Sequence, residues 1–231
     1  MREFIQSIGV WGVALTLGAF ALGTWINKKT GTAIFNPLLL GSIFVIIFLS
    51  LLQIPFGAYR ESVSFLSYLL LPATVSLAVP LYEQWQKLKS NALAVLCGIA
   101  AGSVTSMVSI LALGVLLKLD PALTVSMMPK SVTTAIGVEV AAELGGIASL
   151  AGALIVLTGI LGNLSASALC RITGLHDPVA RGVAIGTASH AVGTAKALQM
   201  GQVEGAVSSL SIAVAGVLTA IICPILANFL V

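Results

Sequence analysis

The chain has 231 residues, of which 58% are hydrophobic and only 8% charged, and its mean hydropathy is +1.09. Soluble domains carry about 25% charged residues, so these proportions exclude an ordinary soluble domain and point to an all-α polytopic membrane protein in a lipid bilayer. A transmembrane barrel is excluded too, because barrel strands read as short alternating segments, whereas several apolar runs here are long enough to span a bilayer as helices.

The net charge of +3 forms no basic stripe, so nucleic acid is not an expected partner. Lys and Arg sit mostly in short links between apolar runs, where membrane topology explains them. Cys97, Cys170 and Cys223 each stand alone in apolar segments and read as small core residues. Neither the cysteines nor the two histidines show metal-ligand spacing, and no cofactor is expected.

In chain order, a first span is expected over Ile8 to Ile26. Arg2, the apolar run and small residues at Ala19 and Ala21 mimic a signal peptide, but the run continues to Ile26 and stops at Lys28 and Lys29, as a retained span does. A second span covers Pro37 to Leu52, and a polar link with Arg60 and Glu61 follows. The third, Phe65 to Leu81, is interrupted by Pro72 and Pro80. After the wet segment YEQWQKLKSN come a fourth span over Ala92 to Leu117, a fifth over Ile147 to Leu169 and a sixth over Val203 to Val231.

Two segments between these spans do not read as spans. PALTVSMMPKSVTTAIGVEVAAELGG (121–146) carries two prolines, Lys130, Glu139 and Glu143, and PVARGVAIGTASHAVGTAKALQMG (178–201) carries Arg181, His190 and Lys196 among glycines. Irregular backbone at membrane depth persists only where protein or a water-filled cavity satisfies it. Asp120-Pro121 and Asp177-Pro178 open the two segments, and each segment is followed by a regular span. The expected architecture is therefore about six full spans plus two broken or re-entrant segments. Residues 1–120 would serve as scaffold and oligomerisation region, and 121–231 as a transport core of two repeats.

If each broken segment enters and leaves on one side, the unit of hairpin plus span crosses once, and its second copy is inverted, as in many secondary transporters. With the N-terminus outside, the inner links carry Lys28, Lys29, Lys87, Lys89, Arg171 and Arg181 against Arg2, Arg60 and Lys118 outside, which satisfies the positive-inside rule. Segments that cross fully as discontinuous helices are the alternative.

A cation at the bilayer centre costs at least about 2.5–3.5 kcal/mol on insertion scales, which makes Lys130 a candidate functional group. Ser131, Thr133 and Thr134 supply hydroxyls beside it, and Pro129 suits the first turn of a half-helix whose free N–H groups favour an anion. Lysine, hydroxyls and a helix N-terminus suit a small carboxylate; pairing of Lys130 with Glu139, Glu143 or Glu204 is the structural alternative. In the second segment Thr187, Ser189, His190 and Thr194 can bond a ligand, and His190 can take up a proton near neutral pH. Packing for the glycines and a carbonyl bond for His190 are the plainer readings, and Lys196 reads as snorkelling. Glu139 and Glu143 share a helix face and either relay protons or line water. Asn163, strongly polar within its span, is placed at the same cavity. HExxH, GxSxG and P-loop signatures are missing, and adjacent Ser189 and His190 make a poor nucleophile pair, so an enzyme is not expected.

PATVSLAVPLYEQ (72–84), MPKSVTTAIGVEVA (128–141), RGVAIGTASHAVGTAKA (181–197) and EGAVSSLS (204–211) resemble the LrgB/CidB family over nearly the whole chain. One departure is Ala135, where members often carry proline. The resemblance implies a multi-pass protein of the bacterial inner membrane. It also implies a small partner of the LrgA/CidA type and, as function, antiholin-like control of murein hydrolase activity and lysis. Related plant proteins move glycolate and glycerate, and bacterial members have been linked to pyruvate, so the resemblance implies transport as well. The residues favour transport of small monocarboxylates such as glycolate, glycerate, pyruvate or lactate, with proton coupling through Glu139 or His190 and a homo-oligomer, as a dimer, as the assembly.

Overall fold

The computed structural model describes residues 10–31 and 35–230. The expected start of the first span at Ile8, the charge on Arg2 and the last residue, Val231, lie outside them. The chain divides into two compact units, one up to Ser76 and one from Leu77 on.

In the first unit α1 (Trp11–Thr30) and α2 (Pro37–Leu51) pack side by side, followed by the short helices α3 (Phe56–Ser62), α4 (Ser64–Tyr68) and α5 (Leu70–Ser76). Gly31, at φ +65°, ends α1, and its N–H donates to the Asn27 carbonyl at 2.8 Å. Asn36 caps α2 by accepting from the Leu38 N–H at 2.8 Å, with Pro37 in the first helical position. A methyl at Gly23 would lie 2.9 Å from the Pro37 carbonyl oxygen, so glycine is what lets the two helices meet there.

The second unit continues through α6 (Ala78–Glu83) and α7 (Trp85–Ser90) to α8 (Ala92–Leu116). Then come α9 (Pro121–Met127), α10 (Thr134–Glu143), α11 (Ala148–Ile172), α12 (Pro178–Met200) and α13 (Gln202–Ala227), closed by a 3-10 turn at Asn228–Leu230. Among the described residues three helices are long and apolar enough to cross a membrane: α8, α11, and α13 with its 3-10 turn. At 1.5 Å per residue each is about 37–43 Å long, against about 30 Å of hydrocarbon. The continuous third span expected over Phe65 to Leu81 is replaced by α4, α5 and α6, none longer than seven residues. Pro72 and Pro80 sit in the first turns of α5 and α6, where a missing N–H is harmless but a preceding helix cannot run through.

Both broken segments fold back on themselves. Asp120 and Asp177 cap α9 and α12 by accepting from the Ala122 and Ala180 N–H groups, each at 2.8 Å, and Pro121 and Pro178 follow in the first helical position. In hairpin 1 the helix stops at Met127 and resumes at Thr134. A methyl at Gly137 would lie 3.0 Å from the Pro129 carbonyl oxygen, and Ser126 Oγ accepts from the Ile147 N–H at 2.7 Å. Residues after the break thus pack against those before it in reverse order. Hairpin 2 turns at a single residue: His190 has φ +41° and ψ −143°, dividing α12 into 178–189 and 191–200. Arg181 and Glu204 approach to 3.8 Å, whereas a straight helix would separate them by about 34 Å.

The three long helices serve as rulers for where the hairpins sit. Along α8, methyls at Gly98 and Gly102 would lie 3.1 Å from Val183 and 2.8 Å from Thr187 of hairpin 2. Ser106 then meets Lys130 and Ser131 at the tip of hairpin 1, and Gly114 faces Thr124 near its base. Along α13 the order is the same: Val207 meets Gly182, Ser208 meets Gly186, and Gly216 meets Ile136 of hairpin 1. The hairpins therefore come in from opposite ends of the frame and their tips meet near its middle. Two buried clusters flank the tips, one around Val95, Ile99 and Val207 and one around Met107, Met128, Val140 and Cys223. Lipid supplies little hydrophobic drive between helices, so close contact through glycine, alanine and serine holds this frame together.

Candidate functional site

Lys130 sits in the six-residue break of hairpin 1, half-buried, and its ammonium donates to Ser106 Oγ and Ser131 Oγ at 3.1 Å each. The two hydroxyls lie 3.0 Å apart. An ammonium carries three donors, so these bonds leave one N–H to aim at a ligand. Among the described residues no carboxylate lies within ion-pair distance of Lys130. Among the described residues the one salt bridge joins Arg181 to Glu204, and none joins Lys130 to Glu139, Glu143 or Glu204.

Behind Ser106 and Ser131 lies an enclosed recess of about 10 Å³, room for one water-sized group. Ser103, Thr187 and Thr219 complete its polar wall. Ser103 Oγ and Thr187 Oγ1 are buried without a hydrogen-bond partner in the protein. A buried hydroxyl left unpaired costs about 1–3 kcal/mol. The donors there, together with an ammonium lacking a countercharge, fit an oxygen-rich anion.

Lys130 also lines two larger grooves, one on each side of the first half of α12. Groove 1, about 630 Å³, runs between α8 and α12, and groove 2, about 420 Å³, between α11 and α12. Lys130, Ala184 and Ala188 are common to both. Among the described residues lining the two grooves, Lys130 alone is an acidic or basic one.

The remaining candidates fall into three groups. Ser131 and Thr187 join Lys130 at the recess, and Ser189 faces groove 2, pressed against Gly162 of α11. His190, Thr194 and Asn163 are engaged with the protein instead. His190 Nε2 lies 2.9 Å from the Ile155 carbonyl oxygen, and Asn163 Nδ2 donates to the Val192 carbonyl at 2.7 Å. Thr194 Oγ1 donates to the His190 carbonyl at 3.0 Å and lies 2.7 Å from Ser208 Oγ. Together these bonds fix the reversal of hairpin 2. Thr133 and Thr134 begin α10, and Glu139 and Glu143 are exposed on it; none of the four lines either groove. Glu204 is buried at the base of hairpin 2. Ser103, Ser106 and Thr219 are the functional candidates that sequence reasoning missed. For Ser103 and Ser106 the signal was a run of hydroxyls in α8, at Ser103, Thr105, Ser106 and Ser109, within an otherwise regular span; Thr219, in α13, had none.

The LrgB-like family matches residues 16–229, nearly the whole of both units. The chain belongs to that family. Antiholin-like protein LrgB of Bacillus subtilis (strain 168) is 32% identical over 216 residues, 93% of this chain and 94% of the relative. Its namesake in Bacillus mycoides (strain KBAB4) is 32% identical over 221 residues, covering 95% and 96%. A third, from Bacillus cereus (strain B4264), is 31% identical over the same length and coverage. No solved structure matches the chain. Membership in the LrgB-like family and three apolar spanning helices make this a membrane protein. The segments that resembled the family in sequence supply α5 and α6, both hairpin tips and the start of α13.

Proposed function

We propose that this LrgB-family protein is an antiholin-like regulator of murein hydrolase activity and lysis, whose working part is a small-anion site at Lys130. The regulator reading has the more direct support: relatives aligned over 93–95% of the chain bear the antiholin-like name. On this reading it acts in the bacterial inner membrane with a small LrgA/CidA-type partner, and its own assembly is a homodimer.

The geometry supports a second, narrower reading, in which the chain carries small monocarboxylates such as glycolate or pyruvate across the membrane. One observation carries it: a lone ammonium at a helix break, with hydroxyl partners only, placed where two opposed hairpins meet. Broken helices meeting at mid-frame are where secondary transporters hold their substrates. The opposed entry of the hairpins also supports an inverted relation between the two repeats.

Proteoliposome uptake of labelled glycolate and pyruvate, with and without the small partner, tests the narrower reading. Native protein is expected to give saturable flux, and Lys130→Ala to lower it at least tenfold. Absence of saturable flux under both conditions removes transport. Autolysis rates in cells test the regulator reading: loss of the chain is expected to change them, and unchanged rates remove it. Altered autolysis that Lys130→Ala leaves untouched detaches the site from regulation.

A further inference from the structure

The geometry points to a two-sided path for a small anion, in which groove 1 and groove 2 lead from opposite ends of the frame to the same ammonium on Lys130. This rests on the carboxylate-transport reading and names its route.

Groove 1 follows α8 as far as Leu113, within a turn of the end at Leu116 where the chain passes to hairpin 1. Groove 2 follows α11 from Thr158 to Cys170, two residues short of the end at Ile172 where the chain passes to hairpin 2. Those two helix ends lie at opposite ends of the frame, because the hairpins that follow them enter from opposite ends. Groove 1 also extends the other way along α8, where its wall is Gly98, Ala101 and Gly102 with Val183 and Ala184 of α12, and the last hydroxyl there is that of Thr187, opposite Gly102. Its other hydroxyls, on Thr105, Ser106, Ser109 and Ser131, lie at the tips or toward hairpin 1. In groove 2 the hydroxyls of Thr158 and Ser165 flank α12 on its other side. Water and anions follow hydroxyl-lined walls, since nothing else at this depth replaces their hydration.

The partition between the grooves is thin. It consists of Ala184 and Ala188, four apart on one helix face, with Lys130 reaching both sides. An anion held by Lys130 can pass from one groove to the other without leaving its countercharge. Among the described residues no other charged side chain lines either route, so along them a monoanion meets its countercharge at the junction.

Site-resolved thiol labelling tests the route in proteoliposomes of known orientation, with the native cysteines kept and each site read by mass spectrometry. Ser109→Cys reports on groove 1 and Ser165→Cys on groove 2, with Thr105→Cys and Leu161→Cys as a second pair should either fail to assemble. A membrane-impermeant maleimide is expected to label Ser109→Cys from one face and Ser165→Cys from the other. Millimolar glycolate, but not chloride, is expected to slow both at least threefold, and Lys130→Ala to abolish that protection. Labelling of both from one face, labelling of neither, or protection at only one overturns the route. Flux measured in the same vesicles separates the two ideas. Flux with one-faced labelling refutes the route alone. Two-faced, protected labelling without flux upholds the route as a two-sided anion site and refutes transport.

Discussion

Gly159 offers the sharpest check on the way hairpin 2 is held. A methyl placed there would lie 2.7 Å from His190 Cε1, 2.8 Å from His190 Nε2 and 2.9 Å from Val192 Cβ. Carbon contacts settle at about 3.5–4.0 Å, so roughly 1 Å must be found. None of the three atoms is the loose end of a flexible chain. The His190 ring is tied to Ile155 on the same helix as Gly159, and the Val192 carbonyl is tied to Asn163. Overpacking of this kind costs about 1–3 kcal/mol. Gly152, two turns earlier, is the control: a methyl there meets Val138 at 3.5 Å, an ordinary contact. Both changes gain the same helix propensity, about 1 kcal/mol, so their difference isolates the clash. Thermal unfolding in detergent should therefore place Gly159→Ala below Gly152→Ala by about 2–12 °C, at roughly 2–4 °C per kcal/mol for a chain of this size. A Gly159→Ala protein that melts with or above Gly152→Ala refutes this account of how the tip is seated.

Three further outcomes follow from the same contacts. His190 holds a positive φ that costs a non-glycine residue about 1–3 kcal/mol, so His190→Gly should melt above His190→Ala, although both lose the Ile155 bond. Thr187→Val removes a buried hydroxyl without a protein partner and should leave stability unchanged or raise it by up to about 1–3 kcal/mol while lowering glycolate flux, whereas Thr194→Val breaks two bonds and should cost about 1–3 kcal/mol in denaturant unfolding. Arg181→Gln leaves Glu204 buried without its countercharge, so it should destabilise more than the Arg181→Gln, Glu204→Gln double variant, read by the same unfolding assay.

Much of this was legible in the chain because its signals are local. Asp120-Pro121 and Asp177-Pro178 announce helix starts through a capping oxygen and a residue that needs no N–H, and both sit where the sequence put them. Lys130 stood out because a charge in an apolar run has few explanations. The reversal at His190 was hidden, since a non-glycine residue at positive φ leaves no mark in the sequence; only the contacts from α11 and α13 make it tolerable. Ser103 and Ser106 were hidden for the opposite reason: a serine in a spanning helix usually bonds its own backbone, as Ser109 does with Thr105. The third span was over-read because hydropathy sums residues without asking whether a helix can run through Pro72 and Pro80.

The order of residues along the chain bears on how the protein is made. Synthesis runs from the N-terminus, so α8 is already in place when the next segment emerges, and Ser106, 24 residues upstream, is waiting for Lys130. The most expensive charge in hairpin 1 never has to enter lipid without a partner. Hairpin 2 has the reverse arrangement: Arg181 emerges well before Glu204, and its base cannot be latched until α13 has begun to appear. Ribosome-bound chains ending just before residue 202 should therefore have the partner of Lys130 already made and the base of the second hairpin still unlatched.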